Sequence, residues 1–428
     1  MIGKPFFSLS RPRLKYPVIQ YKDKDSIKEI PLAEKITLLV DRPFSVIDEE
    51  ILTLGDRVTT GQKVRLDKEG KEFFISTATG TISDISEYIG YLGRSFTSIT
   101  IKTEGKDAWD EEFKGVSKTA SSPETIEFLN ELPGNPDFTF IIDPERSIES
   151  IVINGMDNDL LVTTNQVIVK TEAEKLEKGI DYLKSISKIS QIFLIVPPEL
   201  YSDAENTGAD VRMIHSAYPG SSPEMVMKNV FNRIVPAGKT CADLGVAFVN
   251  AEAVAALADA LDKGKFPVEK ILTAVNKEGA TGIIRVRIGT PAGHILRSLD
   301  IELNHGDRLV FGGPMRGVSI YTEEMPVLRD TDALMVQDRD QITLTSDTPC
   351  INCGECVRVC PSRISVNMLV RLLENGLYEE AVDQYDLLSC IECGLCAYVC
   401  IARIPVFHYI MLGKNEFEKM KRMEESHA

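Results

Sequence analysis

Cys350-Ile-Asn-Cys353-Gly-Glu-Cys356-Val-Arg-Val-Cys360 is repeated, cysteine for cysteine, by Cys390-Ile-Glu-Cys393-Gly-Leu-Cys396-Ala-Tyr-Val-Cys400. Both stretches follow C-x-x-C-x-x-C-x-x-x-C and together hold eight of the nine cysteines. At this spacing three thiolates from one tight loop can grip an iron–sulfur cube, while the fourth cysteine opens a helix leading away. A disulfide framework would require an exported chain, and Met1-Ile-Gly-Lys-Pro-Phe-Phe7 offers no secretory apolar region or cleavage site. Zinc sites prefer separated pairs of ligands over a triplet followed by a fourth. Soft thiolates at this repeated spacing suit two 4Fe–4S clusters.

Where two such quartets occur in one ferredoxin-like unit, the fourth cysteine of each ligates the other cluster. One cluster is therefore expected on Cys350, Cys353, Cys356 and Cys400, the second on Cys390, Cys393, Cys396 and Cys360. Such clusters pass single electrons without a catalytic acid or base, so no catalytic residue is assigned. The glycine shared by the two quartets, Gly354 and Gly394, suggests backbone amides that hydrogen-bond cluster sulfur. About thirty residues separate the quartets. Ile364, Met368, Leu369, Leu372 and Leu373 fall at helical spacing with Gly376 as a stop. Leu377, Ala381, Val382, Tyr385 and Leu388 repeat the pattern.

Working outward, 428 residues suffice for several domains. A net charge of −16 argues against a nucleic-acid partner. No apolar run is long enough to span a bilayer, so membrane association would be peripheral, through partners. Cysteine usage points to a reducing compartment, the cytoplasm. The ninth cysteine, Cys241, reads as a small core residue. His215, His294, His305 and His408 lack partners at metal-ligand intervals.

Residues 31–102 read as short strands with turn signals, notably Gly55–Gln62 and Ser76–Ile82, in the manner of a barrel-sandwich hybrid. Asp67-Lys68 between them invites comparison with a swinging-arm lysine, but a charged hairpin tip explains it better. Residues 104–137 read as a linker with a helix at Pro123–Asn130. Strand-like Phe138–Ile142, Ser150–Ile153, Gln191–Val196 and Val211–Ile214 then alternate with a helix at Glu172–Ser185, the pattern of a mostly parallel α/β sheet. Neither G-x-G-x-x-G nor G-x-x-x-x-G-K-[ST] occurs, so the usual nucleotide loops are missing. From Val246 the chain reads strand, helix, then strands Lys270–Val275, Ile283–Ile288 and Arg308–Phe311. Gly289–Gly293 and Gly312–Gly317 are the connecting turns; the second could approach a ligand or be purely structural.

The chain resembles the C subunit of the Rnf electron-transport complex. The likeness rests on both quartets with Pro361 and Ile404-Pro405, on Arg287-Ile-Gly-Thr-Pro291, on Gly312-Gly-Pro-Met315 and on Tyr218-Pro219. It implies a multidomain α/β plus β fold. The expected order is a barrel-sandwich hybrid (1–103), a central Rossmann-like α/β domain (104–240), a β-grasp-like, SLBB-type domain (241–336) and an α-helical two-cluster ferredoxin domain (337–428). It further implies a subunit at the cytoplasmic face of the membrane, within an oxidoreductase that couples electron flow to ion transport. Partners would be the other Rnf-type subunits, with a ferredoxin as donor.

One region departs from the family pattern. Members carry G-G-A-G-F-P-T and then N-G-x-E-C-E-P. Here the corresponding stretches are Leu132-Pro-Gly-Asn-Pro-Asp-Phe-Thr-Phe140 and Asn154-Gly-Met-Asp-Asn-Asp-Leu160. Without the glycine cluster that cradles a flavin phosphate, the chain is expected to hold two 4Fe–4S clusters and no FMN. The alternatives are an FMN-containing, NADH-oxidising subunit, a soluble iron–sulfur protein like a cobalamin reductase, and clusters that serve only as folding staples.

Overall fold

The computed structural model describes residues 12–19, 27–42, 51–68, 72–115, 122–143 and 145–427. Near the N-terminus, Lys35–Val40, Ser95–Thr103, Gly80–Ile89 and Arg57–Val58 form an antiparallel sheet in that order. Period-two alternation sets its inner face: Ile36, Leu38, Ile82, Ile99 and Ile101 are buried. Lys63–Arg65 and Phe73–Ile75 pair as a hairpin beside it. Asp67-Lys68 lies at the end of that hairpin, where the Asp67 carboxylate accepts from the Glu72 amide.

The helix Pro123–Asn130 starts where the sequence places it. Ser122 caps it by accepting from the Thr125 amide, and Pro123 occupies the first turn. Phe138–Ile142 is not a strand. The Asp137 carboxylate accepts from the Thr139 amide, which bends the run into a 3₁₀ turn at Thr139–Ile141. Phe138 and Phe140 are buried all the same. Their apolar character suggests a strand, but the local Asp137 bond wins.

The central sheet is wholly parallel, in the order Asp210–Met213, Ile192–Val196, Ser150–Asn154, Val246–Asn250. The last strand joins this sheet from beyond residue 240. Val246–Asn250 is hydrogen-bonded along Ser150–Asn154, and its helix, Ala251–Lys263, packs on Ala173–Ser187 in the core of the same unit. The pairing is non-local, so nothing around residue 246 announces it.

A six-stranded sheet follows, in the order Ile27–Glu29, Thr281–Arg287, Glu269–Val275, Ala333–Gln337, Arg308–Phe311, Val318–Ile320. Its first strand comes from the N-terminal segment. Ile295 and Leu296 of the helix Ala292–Ser298 pack on its inner face against Leu272, Ile284 and Leu334. The expected turn Gly289–Gly293 thus runs into a helix, whereas Gly312–Gly317 remains a turn.

The C-terminal unit is helical: Glu355–Val359, Val366–Glu374, Tyr378–Tyr385, Leu395–Tyr398 and Val406–His427. Leu369, Leu373, Ala381 and Ile410 form its centre. Among the described residues no helix is long and apolar enough to cross a membrane.

Candidate iron–sulfur centre

The two quartets adopt the same backbone. Asn352 and Glu392 have φ of 57° and 54°, Gly354 and Gly394 of 73° and 71°, and Arg363 and Arg403 of 59° and 56°. Each glycine precedes a short helix that carries the third cysteine, Cys356 in Glu355–Val359 and Cys396 in Leu395–Tyr398. The third residue after each fourth cysteine folds back, with the Arg363 and Arg403 amides donating to the Cys360 and Cys400 carbonyls. The repeated spacing yields two loops related as copies.

The thiols fall into two sets that cross between the quartets. Burial pushes the Cys356 thiol up to about 12, and the neighbouring sulfurs of Cys350, Cys353 and Cys400 add to the rise. Burial likewise pushes Cys393 up to about 11, with Cys390 and Cys360 as its thiol neighbours. Cys390 is raised, with Cys360 again beside it; Cys396 lies well above the ordinary thiol value, pushed up by burial and then by Cys390 and Cys393, with Cys356 of the other set a smaller neighbour. Four thiolates gathered in a half-buried space repel one another unless a cation sits among them. Among the described residues no group of three or more His, Cys, Asp or Glu is placed to hold a metal ion. A cube takes its thiolates at separate corners, so the donor chemistry and the two crossed sets fit 4Fe–4S clusters. Backbone amides also face the sulfurs: Glu392 N lies 3.4 Å from Cys390 Sγ, and the Leu395 and Ala397 amides serve Cys393 and Cys396.

The second quartet is docked and the first is more open. Cys393 and Leu395 are buried in a core shared with Val152, Phe193, Ile195 and Tyr218 of the parallel sheet unit. The Tyr218 hydroxyl donates to the Cys393 carbonyl at 2.7 Å. A Cβ on Gly394 would lie 2.5 Å from the Met315 carbonyl, so the loop reaches the Gly312–Gly317 turn only because residue 394 is glycine. On the first quartet Ile351 is half exposed. Cys241 sits beside the shared core, its thiol raised to about 12 by burial.

Asp159 holds that turn in place. Its carboxylate accepts from the Met315 and Arg316 amides, the latter at 2.6 Å, and burial raises it to about 6 despite these bonds. Asp157 accepts from the Asn165 amide and from Gln166 Nε2. It is wholly buried and pushed up to about 7. The Asn154–Leu160 stretch therefore braces the turn that touches the second quartet. Sequence reasoning missed Asp159 for this role, and the only signal was its place in the motif that departs from the family. A cleft of about 640 Å³ opens beside the turn, lined by Asn158, Asp159, Arg316, Tyr88, Tyr91 and Tyr321.

The strand order reverses between Ser150–Asn154 and Val246–Asn250, the place where open α/β sheets take their ligands. Gly134 and two asparagines lie beside it. Gly134 lies against the start of Ala251–Lys263, where an added Cβ would meet Asn250 Oδ1 at 2.4 Å. Asn250 accepts from the Ala253 amide and donates to the Gly134 carbonyl, while Asn165 Oδ1 accepts from the Glu252 amide. Lys270 and Glu252 pair at 2.8 Å beneath them, both buried.

Residues 140–259 match the family described as the Nuo51 FMN-binding domain, and residues 342–401 match the 4Fe-4S dicluster domain. The C subunit of the proton-translocating ferredoxin:NAD(+) oxidoreductase complex of Clostridium ljungdahlii is 25% identical, covering 93% of this chain and 91% of that protein. Over most of its length the chain is similar to the C subunits of ion-translocating oxidoreductase complexes. The C subunit of the Na(+)-translocating ferredoxin:NAD(+) oxidoreductase complex of Acetobacterium woodii is 23% identical, over 83% of this chain and 86% of that protein. Its counterpart in the ion-translocating oxidoreductase complex of Pectobacterium carotovorum is 25% identical, and only 50% of that protein's length is covered.

Proposed function

We propose that this chain is an electron-transfer subunit of an Rnf-type, ion-translocating oxidoreductase. In this reading it relays electrons from a reduced ferredoxin-class donor towards membrane-associated subunits, at the cytoplasmic face. The observation that carries it is the crossed grouping of thiols, Cys356 with Cys350, Cys353 and Cys400, and Cys390 and Cys393 with Cys360. Cys350, Cys353, Cys356 and Cys400 would hold one cluster, and Cys390, Cys393, Cys396 and Cys360 the other. A bound 4Fe–4S cluster supplies one-electron transfer. The chain's own residues keep both loops in register, and amides near Gly394 donate to sulfur. Tyr218 and Met315 fix the second loop against the rest of the molecule. The finer division into a barrel-sandwich hybrid, Rossmann-like, β-grasp-like and ferredoxin units belongs to the same reading, with Val246–Lys263 assigned to the Rossmann-like unit.

FMN is not part of this reading. At the strand-order reversal the amides that a flavin phosphate would need are engaged by Asn165 and Asn250, and Gly134 occupies the approach. The match of residues 140–259 to an FMN-binding family favours the second reading, a flavin-bearing subunit that oxidises NADH. Anaerobic purification with measurement of iron, acid-labile sulfide and extractable flavin separates the two. About eight irons, no flavin, and reduction by ferredoxin alone support the first. Stoichiometric FMN bleached by NADH establishes the second.

A further inference from the structure

The two loops are near copies in backbone, but their surroundings differ in charge. At the second position after the first cysteine, loop one has Asn352 and loop two Glu392, both with positive φ. Asn352 accepts from Asn367 Nδ2 of the helix Val366–Glu374, a neutral pair at 2.8 Å. Glu392 instead meets Lys414 of the helix Val406–His427, an ion pair at 2.7 Å. The same ammonium donates to the Cys390 carbonyl, also at 2.7 Å, and is only 16% exposed. The Glu392 amide is the one facing Cys390 Sγ. One ligand loop thus has a half-buried cation bonded to the backbone of a ligand cysteine, and its copy has an amide pair.

We propose that Lys414, balanced by Glu392, sets the reduction potential of the cluster on Cys390, Cys393, Cys396 and Cys360 apart from that of its twin. This rests on the cluster assignment given above. Each cluster gains one electron on reduction, and so one negative charge. An ammonium held beside the ligand loop, away from bulk water, stabilises the reduced form and raises the potential. The carboxylate opposes it, and the bond to Glu392 fixes where the ammonium sits. Lys414 is a positioning residue: it touches the ligand loop and leaves ligation to the thiolates.

The test is an anaerobic redox titration of the full chain followed by electron paramagnetic resonance, with iron content measured on each sample. Lys414→Met is expected to move one of the two midpoints to more negative potential and leave the other in place. Lys414→Arg, which keeps the charge, should restore most of the shift. Glu392→Gln should move the same midpoint the opposite way, and it carries the test alone if Lys414→Met loses iron. Unmoved midpoints in iron-replete Lys414→Met and Glu392→Gln overturn the proposal, as do equal shifts of both clusters. Iron sufficient for fewer than two clusters in the wild-type chain would instead overturn the cluster assignment, and the proposal with it.

Discussion

Gly354 and Gly394 occupy the same place in the two quartets with nearly the same φ, yet a methyl group at each would meet different surroundings. Around Gly354 an added Cβ has nothing within 4 Å, whereas at Gly394 it meets the Met315 carbonyl at 2.5 Å. Alanine at either position takes on the left-handed penalty of about 1–2 kcal/mol. At 394 it must also push back a backbone oxygen, which adds roughly 1–3 kcal/mol, as overpacking does elsewhere. Heating the cluster-loaded protein and following loss of its visible absorbance should therefore show Gly394→Ala failing well before Gly354→Ala. Equal midpoints would mean that the second loop does not seat against the turn. Asp157 gives a pH prediction at the same scale. Burial raises its carboxyl from 3.8 to about 7, with Asp332 adding to the rise and the bonds from Asn165 and Gln166 opposing it. The folded state thus holds a proton that the unfolded chain releases. The associated stability is full below about pH 4 and is lost as pH rises through about 7. Asp157→Asn, which keeps an acceptor for the Asn165 amide, should flatten the stability profile across that window. An unchanged slope in chemical unfolding across the same window would refute this.

Among elements, the Gly312–Gly317 turn is the one most dependent on a distant residue. Asp159 accepts from two of its amides, and hydrogen bonds to a charged group contribute about 1.5–3 kcal/mol. Asp159→Ala is expected to cost roughly that much and to raise hydrogen exchange at Met315 and Arg316 and around Cys393. Exchange limited to residues near 159 would show that the turn stands without it. This turn also marks where the sequence is readable. Its glycines are recognisable, as are the capped helix Pro123–Asn130, the alternation of the parallel sheet and the helices between the quartets, all of which are local patterns. The helix Thr164–Thr171 is not, because Thr164, Val167, Ile168 and Val169 are poor helix formers that are nevertheless buried. Nor is the Lys414–Glu392 pair, whose members lie 22 residues apart on separate elements. The ligand cysteines can be read because their chemistry fixes their spacing; their supports cannot, because tertiary contact alone selects them.

Across the whole molecule, the helical unit has a small core of its own and leans on the rest. Besides Ile364, Leu369, Leu373, Ala381 and Ile410, its centre is lined by Cys350, Cys356, Cys360, Cys390, Cys396 and Cys400. The parallel sheet unit, by contrast, has a large apolar core that includes Ile151, Leu176, Ile180, Leu194 and Leu257 and contains none of these cysteines. Thiolate–iron bonds should then contribute stability to one unit and little to the other, since a preformed site rarely survives in an unfolded chain. Chelation of iron under anaerobic conditions is expected to melt residues from about Cys350 onward. The four-stranded parallel sheet would persist, and only its Tyr218 face would lose protection when its cover departs. Limited proteolysis would cut first in the 342–349 stretch, which carries no helix or strand and leads into the first quartet. Hydrogen exchange before and after chelation reads the outcome directly. Protection lost in the helical unit while Ile151–Ile153 and Ile192–Val196 keep theirs supports clusters that hold the unit together as well as carry electrons. Uniform loss would show one cooperative molecule, and no loss would show a unit whose apolar contacts suffice without metal.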